Sequence, residues 1–71
     1  MQQYPPTDGQ SLKARRENAG ISQDDIAERI GTTRQALRRW EQNPRLTYVK
    51  AARYLAALDD AVAEKVPGKV A

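Results

Sequence analysis

The stretch from Ser22 to Gln42, SQDDIAERIGTTRQALRRWEQ, limits what this chain can become more than any other. Apolar residues fall at Ile26, Ala27 and Ile30, then at Ala36, Leu37 and Trp40, at three- and four-residue steps on either side of Gly31. Two amphipathic helices of about eight to ten residues each are therefore expected, meeting at a glycine corner. Ser22 can accept hydrogen bonds from the amides of a first turn, and Asp24 and Asp25 put negative charge where the helix dipole favours it. Gly31 stands just past the last periodic residue, where a chain leaving a helix takes a positive φ that glycine reaches without steric cost. Thr33 can cap the next helix, which has to end before Asn43-Pro44 because the residue ahead of a proline is pushed out of the α region.

The flanks read as further helices. Thr7 with Gln10 has the pattern of a capping box, so a first helix is predicted from about Asp8 to Ala19, with Gly20 as its left-handed terminator. Leu12, Arg16 and Ala19 share one face of it, and an arginine on an inward face needs an acidic partner. Thr47 is the expected cap of a fourth helix, with Tyr48, Ala51, Ala52, Leu55 and Leu58 on its buried side. Asp59 to Val66 holds no glycine or proline, and is either a fifth helix or a continuation of the fourth. The expectation is an all-α bundle of four to five helices at residues 7–66, with a disordered lead-in at 1–6 and a flexible tail at 67–71.

Composition then removes whole classes of chemistry. The chain has no cysteine and no histidine, so disulfides, thiolate nucleophiles, zinc-finger ligands and the usual neutral-pH acid/base group are missing. Asp24 and Asp25 are neighbours on a helix and diverge by about 100°, so they cannot act as paired catalytic carboxylates. The reading is of a protein that is not an enzyme and needs no metal, cofactor or small-molecule ligand. No apolar run approaches the roughly 18 residues of a membrane span, and MQQYPPTDG lacks the blocks of a signal peptide, so a cytoplasmic protein without a membrane partner is expected. A chain of 71 residues buries only about 60% of its unfolded surface, which makes a homodimer attractive on physical grounds.

The net charge of +3 matters less than where the charge sits. Between Thr33 and Arg45 stand Arg34, Arg38, Arg39 and Arg45 against Glu41, whereas Asp24, Asp25 and Glu28 outnumber Arg29 on the helix before. Stepping about 100° per residue from Leu37 turns Thr33, Ala36, Leu37 and Trp40 inward, and Gln35, Arg38, Arg39 and Gln42 outward, with Arg34 at their flank. Arginine can bond guanine O6 and N7 in a fork and glutamine can bond adenine N6 and N7, so this face has the composition that a DNA major groove asks for. Residues at the start of such a helix reach deepest, which makes Arg34 and Gln35 the first candidates for base contacts, followed by Arg38 and Arg39. Gln23, in the first turn of the preceding helix, is a candidate for a phosphate, as are Arg45 and, more weakly, Lys50. In an arbitrary protein the same arginines would be read as a solvated helix surface; the glycine corner and the Trp40 anchor favour the groove.

With Gln23, Ala27, Gly31, Leu37 and Trp40 at this spacing, the sequence resembles the Cro/repressor-like (XRE) helix-turn-helix family. The resemblance runs upstream through RRENAG, from Arg15 to Gly20, and downstream through PRLTYVKAARYLAAL, from Pro44 to Leu58. It implies a repressor-like bundle, with Ala27 at the helix crossing, Gly31 in the turn, Leu37 and Trp40 as core anchors, and a salt bridge between Arg16 and Glu41. It also implies double-stranded DNA as the partner, and points to the same base-reading positions. Two places depart from the pattern: Asn43 stands where members commonly have the glycine that closes the third helix, and Asp59-Asp60 stands where the link to a fifth helix usually carries one. The function expected is that of a sequence-specific, double-stranded DNA-binding transcriptional regulator, such as a phage-type repressor or Cro-like switch, acting as a dimer. An antitoxin or a restriction-modification controller would carry the same domain. A module that turns the basic face of the third helix to an acidic protein partner is the alternative of another class.

Overall fold

The computed structural model describes residues 7–65, so the expected lead-in, the tail and Val66 lie outside the described residues. Four helices follow one another: α1 (Gly9–Ala19), α2 (Gln23–Ile30), α3 (Arg34–Gln42) and α4 (Tyr48–Lys65). The all-α expectation holds, and residues 59–65 continue α4 rather than forming a helix of their own.

Local chemistry explains most boundaries. Ser22 Oγ accepts from the Asp25 amide at 3.1 Å, and Thr33 Oγ1 accepts from the Ala36 amide at 3.0 Å, so each serves a first-turn donor that the helix leaves unsatisfied. Gly31 ends α2 at φ 86°, and a Cβ there would meet nothing within 4 Å. The backbone angle, not space, selects glycine at this corner. Asn43 is extended, at φ −86° and ψ 114°, so α3 leaves without a left-handed turn, as Pro44 demands of the residue before it. Its side chain accepts from the Arg45 amide at 2.9 Å and turns the chain toward α4.

Two expectations are corrected. Thr7 does not cap α1: Asp8 does, its carboxylate accepting from the Gln10 amide at 3.0 Å, so the helix starts at Gly9. Thr7 is held instead in an extended pairing with Leu46, with backbone hydrogen bonds of 2.9 and 2.8 Å in the two directions. That pairing lays the start of α1 directly on the end of α3. The Gly9 amide donates to the Asn43 carbonyl at 2.8 Å, and a Cβ at Gly9 would collide with the carbonyl oxygen of Trp40.

The second correction concerns α4, whose buried face is Ala51, Tyr54, Ala57, Leu58 and Ala61. Tyr48 and Ala52 are exposed and Leu55 is half-buried. From 48 to 58 this helix is apolar almost all round, so periodicity does not fix its phase. Tyr54 does, by reaching Glu41 on α3. The far end of α4 is docked by charge: Arg29 holds Glu64 in a two-pronged pair at 2.8 and 2.9 Å, and Lys65 Nζ donates to the Gly20 carbonyl at 3.1 Å.

Helices α3 and α4 both pack on α1 and α2. The core is small: Leu12, Ile21, Ile26, Leu37 and Leu46 fill it, while Ala27, Ala51, Ala57 and Ala61 let the helix backbones approach. Trp40 is partly buried against this core, with the Lys50 ammonium 5.7 Å from its ring centroid. No helix among the described residues is long and apolar enough to cross a membrane.

Candidate nucleic-acid interface

The inner side of α3 is tied down by one carboxylate. Glu41, only 2% exposed, receives Arg16 Nε at 2.8 Å and Arg16 Nη2 at 3.3 Å, from α1. Gln23 Nε2, from α2, donates to its Oε1 at 2.9 Å, and the Tyr54 hydroxyl, from α4, donates to its Oε2 at 2.5 Å. Arg16 Nη1 donates to the Ile21 carbonyl at 2.9 Å, so the guanidinium is also bonded to the backbone between α1 and α2. All four helices meet at this node.

Burial by itself would raise the Glu41 pKa, but the hydrogen bonds from Arg16, Tyr54 and Gln23 and the charge of Arg16 outweigh it and hold the carboxyl below its ordinary 4.5. Burial lowers the Arg16 pKa, yet the Glu41 contacts prevail and the guanidinium is held above its usual range. The Tyr54 hydroxyl is pushed up, first by burial and then by donating to a carboxylate, so it stays a donor. No buried polar side-chain atom among the described residues lacks a hydrogen-bond partner.

With its inner edge fixed, α3 presents its other face outward. Arg34, Gln35, Arg38, Arg39 and Gln42 are all exposed, while Ala36 is half-buried and Leu37 fully buried. Arg34 opens the helix, its Nε 3.6 Å from Asp24 Oδ1, and both side chains are mostly in solvent, so the pair restrains Arg34 weakly. Arg38 and Arg39 make no ion pair or side-chain hydrogen bond among the described residues. Arg45 is exposed on the α3–α4 connection, and Lys50 is exposed in the first turn of α4.

Gln23, expected at a phosphate, commits one amide N–H to Glu41 and keeps the other. It lies in a shallow depression of about 430 Å³ at the start of α2, together with Lys13, Ser22, Asp24 and Arg34. Lys13 was not singled out by the sequence: nothing in its spacing marks it, and it comes beside Gln23 only because α1 and α2 both pack on α3. Tyr54 was missed for a different reason, since the apolar surroundings of α4 hide which face turns inward.

Two short helices at a glycine corner, the second one basic on its outside and anchored from within, are the geometry of a helix-turn-helix. A family model described as helix-turn-helix matches residues 12–59, two thirds of the chain. The chain belongs to the helix-turn-helix family. It is a DNA-binding transcription regulator of the Cro/repressor-like (XRE) type, and its partner is double-stranded DNA. No curated protein and no solved structure matches it.

Proposed function

We propose that this regulator is a minimal repressor of the phage or Cro-like type, which binds a roughly two-fold symmetric site as a homodimer. Each subunit lays α3 in the major groove, the two helices about 34 Å apart on one side of the duplex. Arg34 and Gln35 read bases at the deep end of the groove, Arg38 and Arg39 read one turn further on, and Gln23, Arg45 and Lys50 hold phosphates. What supports this reading above all is the contrast between the two sides of α3: its inner edge is bonded to three other helices, while Arg38 and Arg39 have no ion-pair or hydrogen-bond partner among the described residues.

Selection of sites from random duplexes with the full chain tests it. The expected result is an enriched two-fold motif, whose binding falls with salt at about 0.9 in log K per log salt for each phosphate contact. With the motif in hand, Arg34→Ala is expected to relax preference at one base pair, and Arg45→Ala to weaken all sequences alike. Binding without enrichment of any sequence would remove the base-reading roles. Failure to bind duplex DNA at all would favour the acidic protein partner.

A further inference from the structure

Every large hydrophobic side chain that is exposed among the described residues lies on one helix: Tyr48, Val49 and Val62, all on α4, with Val49 61% exposed. Around them the same outward face carries Ala52, Ala56 and half-buried Leu55, and its one charge is Asp59. A helix with polar solvent on its outer side does not ordinarily look like this, since an amphipathic surface helix has charged or polar residues there. Val49, Ala52, Ala56 and Asp59 recur at three- and four-residue steps, the spacing at which one helix packs along another.

We propose that this face binds the same face of a second copy of the chain, with the two α4 helices antiparallel about a two-fold axis between Leu55 and Ala56. Charge argues for that occupant and that direction. Arg53 and Asp60 stand along one edge of the face, and neither has an ion-pair or hydrogen-bond partner among the described residues. In a two-fold antiparallel pair that edge meets itself reversed, so Arg53 comes within about two residues, or roughly 3 Å of axial rise, of the partner's Asp60, twice. The same arrangement sets Ala52 across from the partner's Asp59 and separates the two Asp59 carboxylates by seven residues, about 10 Å. A parallel pair would put Asp59 directly against Asp59 and turn the edge with Arg53 and Asp60 to the partner's opposite edge, where Leu55 and Val62 offer no counter-charge. The core of each chain is small and rich in alanine, so covering this face adds burial where the single chain has little.

The inference deepens the homodimer of the proposed function, but its test needs no DNA. Sedimentation equilibrium of the full chain is expected to give twice the 8.0 kDa chain mass at tens of micromolar. Ala52→Glu, at an exposed site where it faces the partner's Asp59, is expected to weaken the dimer at least tenfold while circular dichroism stays unchanged. Ala52→Lys is expected to hold or tighten it. Arg53→Asp and Asp60→Arg should each weaken association, and the double exchange should restore it. A wild-type chain that is monomeric, or a dimer that treats Ala52→Glu and Ala52→Lys alike, overturns the assignment. A monomer that still binds duplex DNA would sink this interface and leave the DNA-binding reading intact.

Discussion

Arg16 and the pair Arg38 and Arg39 show what a guanidinium does in two settings of one small domain. Arg16 is 7% exposed and donates to Glu41 through two nitrogens and to Ile21 through the third. Arg38 and Arg39 are in solvent without an ion-pair or hydrogen-bond partner among the described residues. A buried charge has to be matched completely, since an uncompensated one costs several kcal/mol, whereas an exposed one is left to water at little cost to folding. The same residue type is therefore structural where its bonds are used up inside and available for a ligand where they are not. Stability and DNA binding should separate along this line.

The sharpest way to break the comparison is Glu41→Gln, which leaves Arg16 buried without its counter-charge. It is expected to lower stability by about 3 to 5 kcal/mol, a large part of what a domain of this size possesses, and urea denaturation followed by circular dichroism reads the loss. A variant that unfolds at the wild-type midpoint would mean the node is decoration. Next comes Tyr54→Phe, which removes the 2.5 Å donor to Glu41 while keeping the ring; a loss of about 1.5 to 3 kcal/mol is expected for a hydrogen bond to a charged group.

Arg38→Ala tests the other side. Unfolding should shift by no more than about 0.5 kcal/mol, and affinity for the selected duplex should fall by about 1 to 3 kcal/mol, read by fluorescence anisotropy. A variant that lost stability and kept its affinity would invert the roles of the two faces. The smallest effect concerns acid. The Glu41 carboxyl is held below 4.5 in the fold, so the stability it contributes is present above that pH and lost as the pH falls through its folded value. Glu64, also lowered by its pair with Arg29, is exposed, so Glu64→Gln should leave the acid-induced fall of the urea midpoint in place. If Glu64→Gln abolished that fall, the acid response would belong to the surface pair.

How far the sequence could be read depends on how local the cause of each feature is. Ser22, Gly31 and Thr33 act within a turn of themselves, and their roles follow from residue type and spacing. The Arg16–Glu41 pair needed the family resemblance, because 25 positions separate its members. Asp8 displaced Thr7 as the cap because Thr7 pairs with Leu46, a contact between distant parts of the chain that no local pattern encodes. The phase of α4 was illegible for the reason already given: alanine and leucine on nearly every side leave the buried face to be chosen by one hydroxyl. The outward set on α3 followed from helical phase alone, whereas the depression that gathers Lys13, Gln23 and Arg34 exists only once three helices are packed.

Because Thr33 secures one end of α3 and Glu41 the other, the rod can neither slide nor roll relative to its scaffold. On the proposed base-reading roles, positions 34, 35, 38 and 39 could be randomised together with the frame kept, since the one link any of them makes to another helix is the weak, exposed pair of Arg34 with Asp24. A vocabulary of binders sharing one chassis follows from that separation.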